Sequence, residues 1–98
     1  MFTGIDHVAI VVNELESAIA SYSRAGFTVV RGGTHPIGTH NALIAFADRS
    51  YLELIAFLKP YTGHPWQQAL TKGSGVVDFC MCTDDLVADV EAMRRLPG

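Results

Sequence analysis

The stretch G-I-D-H-V-A-I-V-V-N-E-L-E-S-A, residues 4–18, decides the fold. Residues 4–12 are continuous and rich in β-branched side chains (Ile5, Val8, Ile10, Val11, Val12), the pattern of a strand covered on both faces. Asn13 is a good helix N-cap, with Glu14 and Glu16 in the first turn, where carboxylates suit the helix dipole. Leu15, Ala18, Ile19 and Tyr22 follow the spacing of one buried helix face, so a helix is predicted over 14–25, stopped by Gly26. The same unit begins again at a constant offset of 71 residues, in G-V-V-D-F-C-M-C-T-D-D-L-V-A-D, residues 75–89. Gly4 matches Gly75, Asn13 matches Asp84, Leu15 matches Leu86 and Ile19 matches Val90. A repeated unit is one supersecondary module used twice. The second copy stops after its helix (85–95), so a site built from two whole modules is expected to be incomplete in one chain.

Phe27 to Thr34 reads as a second strand, with Gly32-Gly33 and then Pro36 loosening the chain at its end. Residues 39–47 and 51–58 read as a hairpin turned at Asp48-Arg49-Ser50. Pro60, Gly63, Pro65 and Gly73 mark 59–74 as a linker with a helical turn over Trp66 to Leu70. The expected architecture is α+β: a βαβββ module with a curved mixed sheet (1–58), the linker, and an incomplete second module, βα, with an Asp84 cap (75–98). Both helices are expected on the convex side.

A chain of 98 residues, about half of them apolar, is one domain with a modest core. A net charge of −3 without a charge run argues against a nucleic-acid partner, and no apolar run is long enough to span a bilayer. The N-terminus shows no basic region followed by an apolar stretch, and the two cysteines, Cys80 and Cys82, are too close along one strand for a bridge. A cytoplasmic protein is expected.

Four positions carry the chemistry. His7 shares a strand face with Ile5, Ala9 and Val11, while Val8, Ile10 and Val12 face the first helix, so the imidazole points away from the helix layer. Glu53 stands in Y-L-E-L-I-A-F, a run too apolar for a surface strand; a carboxylate there needs a partner, a hydrogen bond or a cation. Its face also carries Tyr51, Ile55 and Phe57. A neutral imidazole with a carboxylate is a common half-site for a divalent metal. A core histidine bonded to one neighbour and an acid at a wet sheet edge are the plain alternatives. In G-T-H-N, residues 38–41, His40 and Asn41 point to opposite faces of a regular strand, so one reaches the concave side and the other does not. Asp78 occupies the place of His7 in the second copy. His35 and His64, beside prolines, read as solvated loop residues.

These segments together (I-D-H-V-A-I-V-V-N-E-L-E-S-A, G-F-T-V-V, G-T-H-N-A-L-I-A-F and Y-L-E-L-I-A-F) resemble the glyoxalase-like branch of the vicinal oxygen chelate superfamily. The resemblance implies paired βαβββ modules curled around a shared cavity, with metal ligands from the first and fourth strands of each. Carried to this chain, it implies His7, Glu53 and Asp78 as ligands of a divalent ion (Zn, Fe, Mn, Ni or Mg). Glu53 would also be catalytic, and His40, Asn41, Tyr51 and Phe57 would contact a small oxygenated substrate. Members that use a metal polarise substrate oxygens as a Lewis acid, in isomerase, lyase and dioxygenase chemistry. Others bind small molecules, including antibiotics, without metal. The chain departs from the pattern in carrying Asp78 where a His is usual and in lacking three closing strands. A metal-free binding protein or a truncated non-catalytic domain is therefore the alternative, and a homodimer that completes the cup is expected.

Overall fold

The computed structural model describes residues 1–73 and 75–97. Its elements are β1 (Phe2–Val11), α1 (Leu15–Arg24), β2 (Val30–Thr34), β3 (Thr39–Ala45), β4 (Tyr51–Phe57), α2 (Pro65–Leu70), β5 (Gly75–Thr83) and α3 (Leu86–Arg94). They form a mixed α+β fold in which one curved sheet has the order β2-β3-β4-β1-β5. β1 runs parallel to β4 and antiparallel to β5, whereas β2, β3 and β4 form an antiparallel meander. The repeat is thus built into the sheet, because the first strands of the two copies lie side by side.

The alternation read from the sequence sorts the faces. Val12, Leu15, Ala42, Ile44, Leu54 and Ala56 form the core beneath α1, with Ile10, Ala18, Ile19, Tyr22, Val29 and Leu52 packed around them. α1 sits against β3 and β4 and leaves β5 uncovered on that side. The opposite face carries His7, Ala9, Val11, Asn41, Leu43, Tyr51, Glu53, Ile55 and Phe57 by the same two-residue period.

Several local expectations are corrected. Val12 still donates its N–H to the Ile55 carbonyl at 2.8 Å, so the chain leaves the sheet late. Glu14, not Asn13, then caps α1, its carboxylate accepting from the N–H groups of Glu16 and Ser17 at 3.1 and 2.7 Å. In the second copy Asp85 is the cap, while Asp84 receives the N-terminal amine of Met1 at 2.8 Å. β2 begins at Val30, because Phe27 turns back to pack on Tyr22, ring centroids 5.8 Å apart.

The second helix of the repeat does not press on the convex side as expected. α3 has only marginal contact with any other element, and Leu86, Val87, Val90 and Met93 are exposed. Asp89, bonded to the Thr83 hydroxyl and 3.1 Å from the Met1 amine, ties its first turn to the end of β5.

The Glu14 cap has a pH signature. Hydrogen bonds from Ser17 hold its carboxyl below the ordinary glutamate range. A group with a lowered folded pKa contributes stability above its unfolded pKa, and that contribution is lost as pH falls through the folded value. A Glu14→Gln variant is expected to lose part of its acid-side pH dependence, read as a shallower fall of the melting temperature below the glutamate range.

Candidate functional site

The concave face is organised around Glu53. The register places Glu53 of β4 beside Ala9 of β1 and opposite Leu43 of β3, with His7 and Asn41 one step away on either side. The Glu53 carboxylate reaches both: Oε1 lies 3.5 Å from His7 Nε2, and Oε2 accepts from Asn41 Nδ2 at 2.8 Å. Both side chains of the His7–Glu53 pair are largely buried, at 18% and 15% exposure, so the carboxylate is not a wet edge residue.

His7 is oriented from behind. Its Nδ1 lies 2.8 Å from Asp6 Oδ2. Neighbouring side chains on a regular strand point to opposite faces, and this contact exists because the ladder slips. Ile5 pairs with Met81 and His7 with Cys80, leaving Asp6 as the extra residue of a bulge. Carboxylates thus flank both ring nitrogens, and in the tautomer that carries its proton on Nδ1 the Nε2 lone pair faces Glu53. Lone pair and carboxylate then face each other with no hydrogen bond between them, an arrangement satisfied by a cation or by protonation of the ring. Two ligands on one tetrahedral ion at ~2.0–2.2 Å stand roughly 3.4 Å apart. The observed separation fits that spacing, and the two residues fit a divalent ion as half of its ligand set. Among the described residues no group of three or more His, Cys, Asp and Glu side chains converges as a metal site.

Tyr51 stacks on the His7 ring, centroids 4.7 Å apart and planes within 12°. Burial, then the negative charges of Asp6 and Glu53, raise its phenol above the ordinary value, so it remains a hydrogen-bond donor. Phe57 lies on the same face but four residues beyond Glu53 along β4, roughly 13 Å at strand rise. There its ring meets His64 and Tyr61 at 5.2 and 6.1 Å, and His64 in turn meets Trp66 at 5.5 Å. The linker thus folds back as an aromatic cluster over that end of the face.

Asp78 sits opposite Ala9, diagonal to His7 on the same face, but it is exposed and its Oδ1 accepts from the Phe79 N–H at 2.8 Å. The structure therefore brings it near His7 without turning its carboxylate into the site. His40 is not brought to this set. It pairs with Ala56 on the helix-bearing face, as alternation against Asn41 requires, and lines a cavity of about 190 Å³ with Glu16, Arg31 and Gly32.

His35, read from sequence as a loop residue, belongs to the site. Its Nδ1 lies 2.7 Å from the buried Thr39 hydroxyl and its Nε2 3.4 Å from Asn41 Nδ2. The signal was in the spacing: a turn at 35–38, closed by the Gly38 N–H to the His35 carbonyl, brings residue 35 back against the strand it precedes. A cavity of about 570 Å³ lies elsewhere, on the helix-bearing side, lined by Ile10, Val12, Ala18, Tyr22 and Val76. It marks where α1 stops short of β5 and holds none of the groups around Glu53.

Comparison with known proteins agrees with the fold. The family model described as a glyoxalase-like domain matches residues 5–97. A methylmalonyl-CoA epimerase from Mycobacterium tuberculosis is 29% identical, with a TM-score of 0.74 over 95% of this chain and 63% of its own. A variant of the Streptomyces coelicolor methylmalonyl-CoA epimerase in complex with 2-nitronate-propionyl-CoA is 26% identical, with a TM-score of 0.72 over 96% of this chain and 71% of its own. A methylmalonyl-CoA epimerase in complex with methylmalonyl-CoA and NH4+ matches equally well, at 26% identity, a TM-score of 0.72, and 96% and 69% coverage. No curated protein sequence is similar enough to count as a match. No helix among the described residues is long and apolar enough to cross a membrane.

Proposed function

The chain belongs to the glyoxalase-like domain family, and on that premise we propose that its concave face is a small-molecule site of isomerase type in which His7 and Glu53 hold a divalent cation. The observation that carries this reading is His7 Nε2 standing 3.5 Å from the Glu53 carboxylate while its Nδ1 lies 2.8 Å from Asp6. A cation there would act as a Lewis acid on the oxygens of a bound substrate. Tyr51, held protonated, donates to a substrate oxygen; Asn41 and His35 border the same space, and Asp78 supplies a weaker third ligand by rotating off Phe79. The epimerases in the comparison favour proton-transfer chemistry over ring cleavage, and a cytoplasmic small oxygenated acid or thioester is the substrate class.

A second reading rests on the same pair. If His7 is protonated, it and Glu53 form a direct ion pair, and the protein binds its ligand without metal, with Glu53 as the site's proton acceptor. Metal analysis of protein purified without chelator, followed by calorimetric titration of wild type and His7→Ala with Co2+, separates the two. Stoichiometric metal, or tight Co2+ binding that the variant loses, supports the metal site. Absence of both assigns the chain to metal-free binding.

The cup is completed by a second copy of the chain in this proposal. The exposed apolar residues that would recruit it are Val76 and Phe79, paired with Ile10 and Val8 on the helix-bearing face of β5, and those of α3, so the contact would start beside the cup rather than in it. Sedimentation equilibrium at tens of micromolar is expected to give a dimer, and a well-behaved monomer that binds no apolar dye would contradict this.

A further inference from the structure

We propose that Asn41 is a positioning residue that holds Glu53 facing His7, and that Gly32-Gly33 is the seat built for it; the cation readout below rests on the function proposed above. Asn41 Oδ1 accepts from the Gly33 N–H at 2.9 Å. That bond fixes which end of the amide is which, so Nδ2 must be the donor. One Nδ2 proton goes to Glu53 Oε2 at 2.8 Å, and the other faces His35 Nε2 at 3.4 Å. His35 Nδ1 in turn lies 2.7 Å from the Thr39 hydroxyl. Every polar atom of the Asn41 amide therefore has an assigned partner, and one carboxylate oxygen is committed to the clamp while the other is left for His7.

The seat excludes any side chain at residue 32. A Cβ on Gly32 would lie 2.0 Å from Asn41 Oδ1 and 2.9 Å from its Cγ. The backbone of Gly32 is otherwise ordinary and the residue is exposed, so an added methyl chiefly displaces the Asn41 amide, the next contact being the Asn41 backbone oxygen at 3.3 Å. Gly32→Ala thus removes the clamp without touching Glu53, His7 or the core. The sequence pair that looked like a loosening of the chain is a close-approach site.

Two measurements on the intact protein test this. In the metal-free state, the Asn41 side-chain amide protons are expected to exchange with water about tenfold faster in Gly32→Ala than in wild type, since a charge-assisted bond is lost. With added Co2+, Gly32→Ala and Asn41→Ala are each expected to bind roughly 10–100-fold more weakly, the usual cost of losing a group that orients a ligand. The double variant is expected to be no weaker than either, because both act through one contact. Unchanged amide exchange in Gly32→Ala, or wild-type Co2+ affinity in that variant, would overturn the clamp. Wild-type protein that binds no Co2+ would overturn the metal reading alone, and amide exchange would still decide the clamp.

Discussion

Glu53→Ala protein is expected to bind Co2+ at least about 100-fold more weakly than wild type, more than any residue that acts on the ligand from behind. The carboxylate is the charged half of the pair that faces His7, and it lies among groups that leave it few alternatives: Asn41 on one oxygen, the imidazole Nε2 of His7 on the other. Glu53→Gln keeps the volume and the oxygen but not the charge, so its loss is expected to be intermediate. Calorimetric titration of the three proteins checks the order. Equal affinity in all three would mean that added metal binds elsewhere and that the ion-pair reading of His7 and Glu53 is correct.

The largest structural effect is expected at the core under α1. Leu54 and Ile44 are fully buried, and both pack in the cluster joining Val12, Leu15, Ala42 and Ala56. Leu54→Ala leaves a cavity in a site walled by a helix and two strands, and such substitutions cost about 2–5 kcal/mol. A domain of this size has roughly 5–15 kcal/mol in total, so the variant is expected to lose a large share of its stability in urea. By contrast, Val87→Ala on α3, where the side chain is 74% exposed, is expected to change the monomer's stability within about 0.5 kcal/mol. A large loss from Val87→Ala that grows with protein concentration would identify α3 as part of an assembly surface.

The sequence was most legible where one period repeats without interruption. The β1–α1 unit, the 39–58 hairpin and the recurrence at 75–95 follow from hydrophobic alternation and helical spacing, and the shared face of His7 and Glu53 follows from the two-residue strand period. What alternation could not show lies where the period breaks. Asp6 reaches His7 only because a bulge adds a residue to β1, and no composition signal marks a bulge. His35 reaches Asn41 only because a turn folds it back, and Gly32 matters through Asn41, nine residues away. The caps slipped by one residue because hydrogen bonding, not residue preference, decides where a strand releases the chain. The poor docking of α3 was not legible: its apolar stripe read as a buried face, whereas among the described residues it has only marginal contact with other elements and stays exposed.

In the proposed site His7 Nε2 and Glu53 hold a cation while Asp6 keeps Nδ1, and the ring nitrogen chemical shifts of His7 report that arrangement. In long-range 1H–15N spectra, saturating Zn2+ is expected to move the Nε2 resonance of His7 while Nδ1 keeps its proton and its shift. His7 nitrogens that do not respond to Zn2+, or a response at Nδ1 instead, would contradict it.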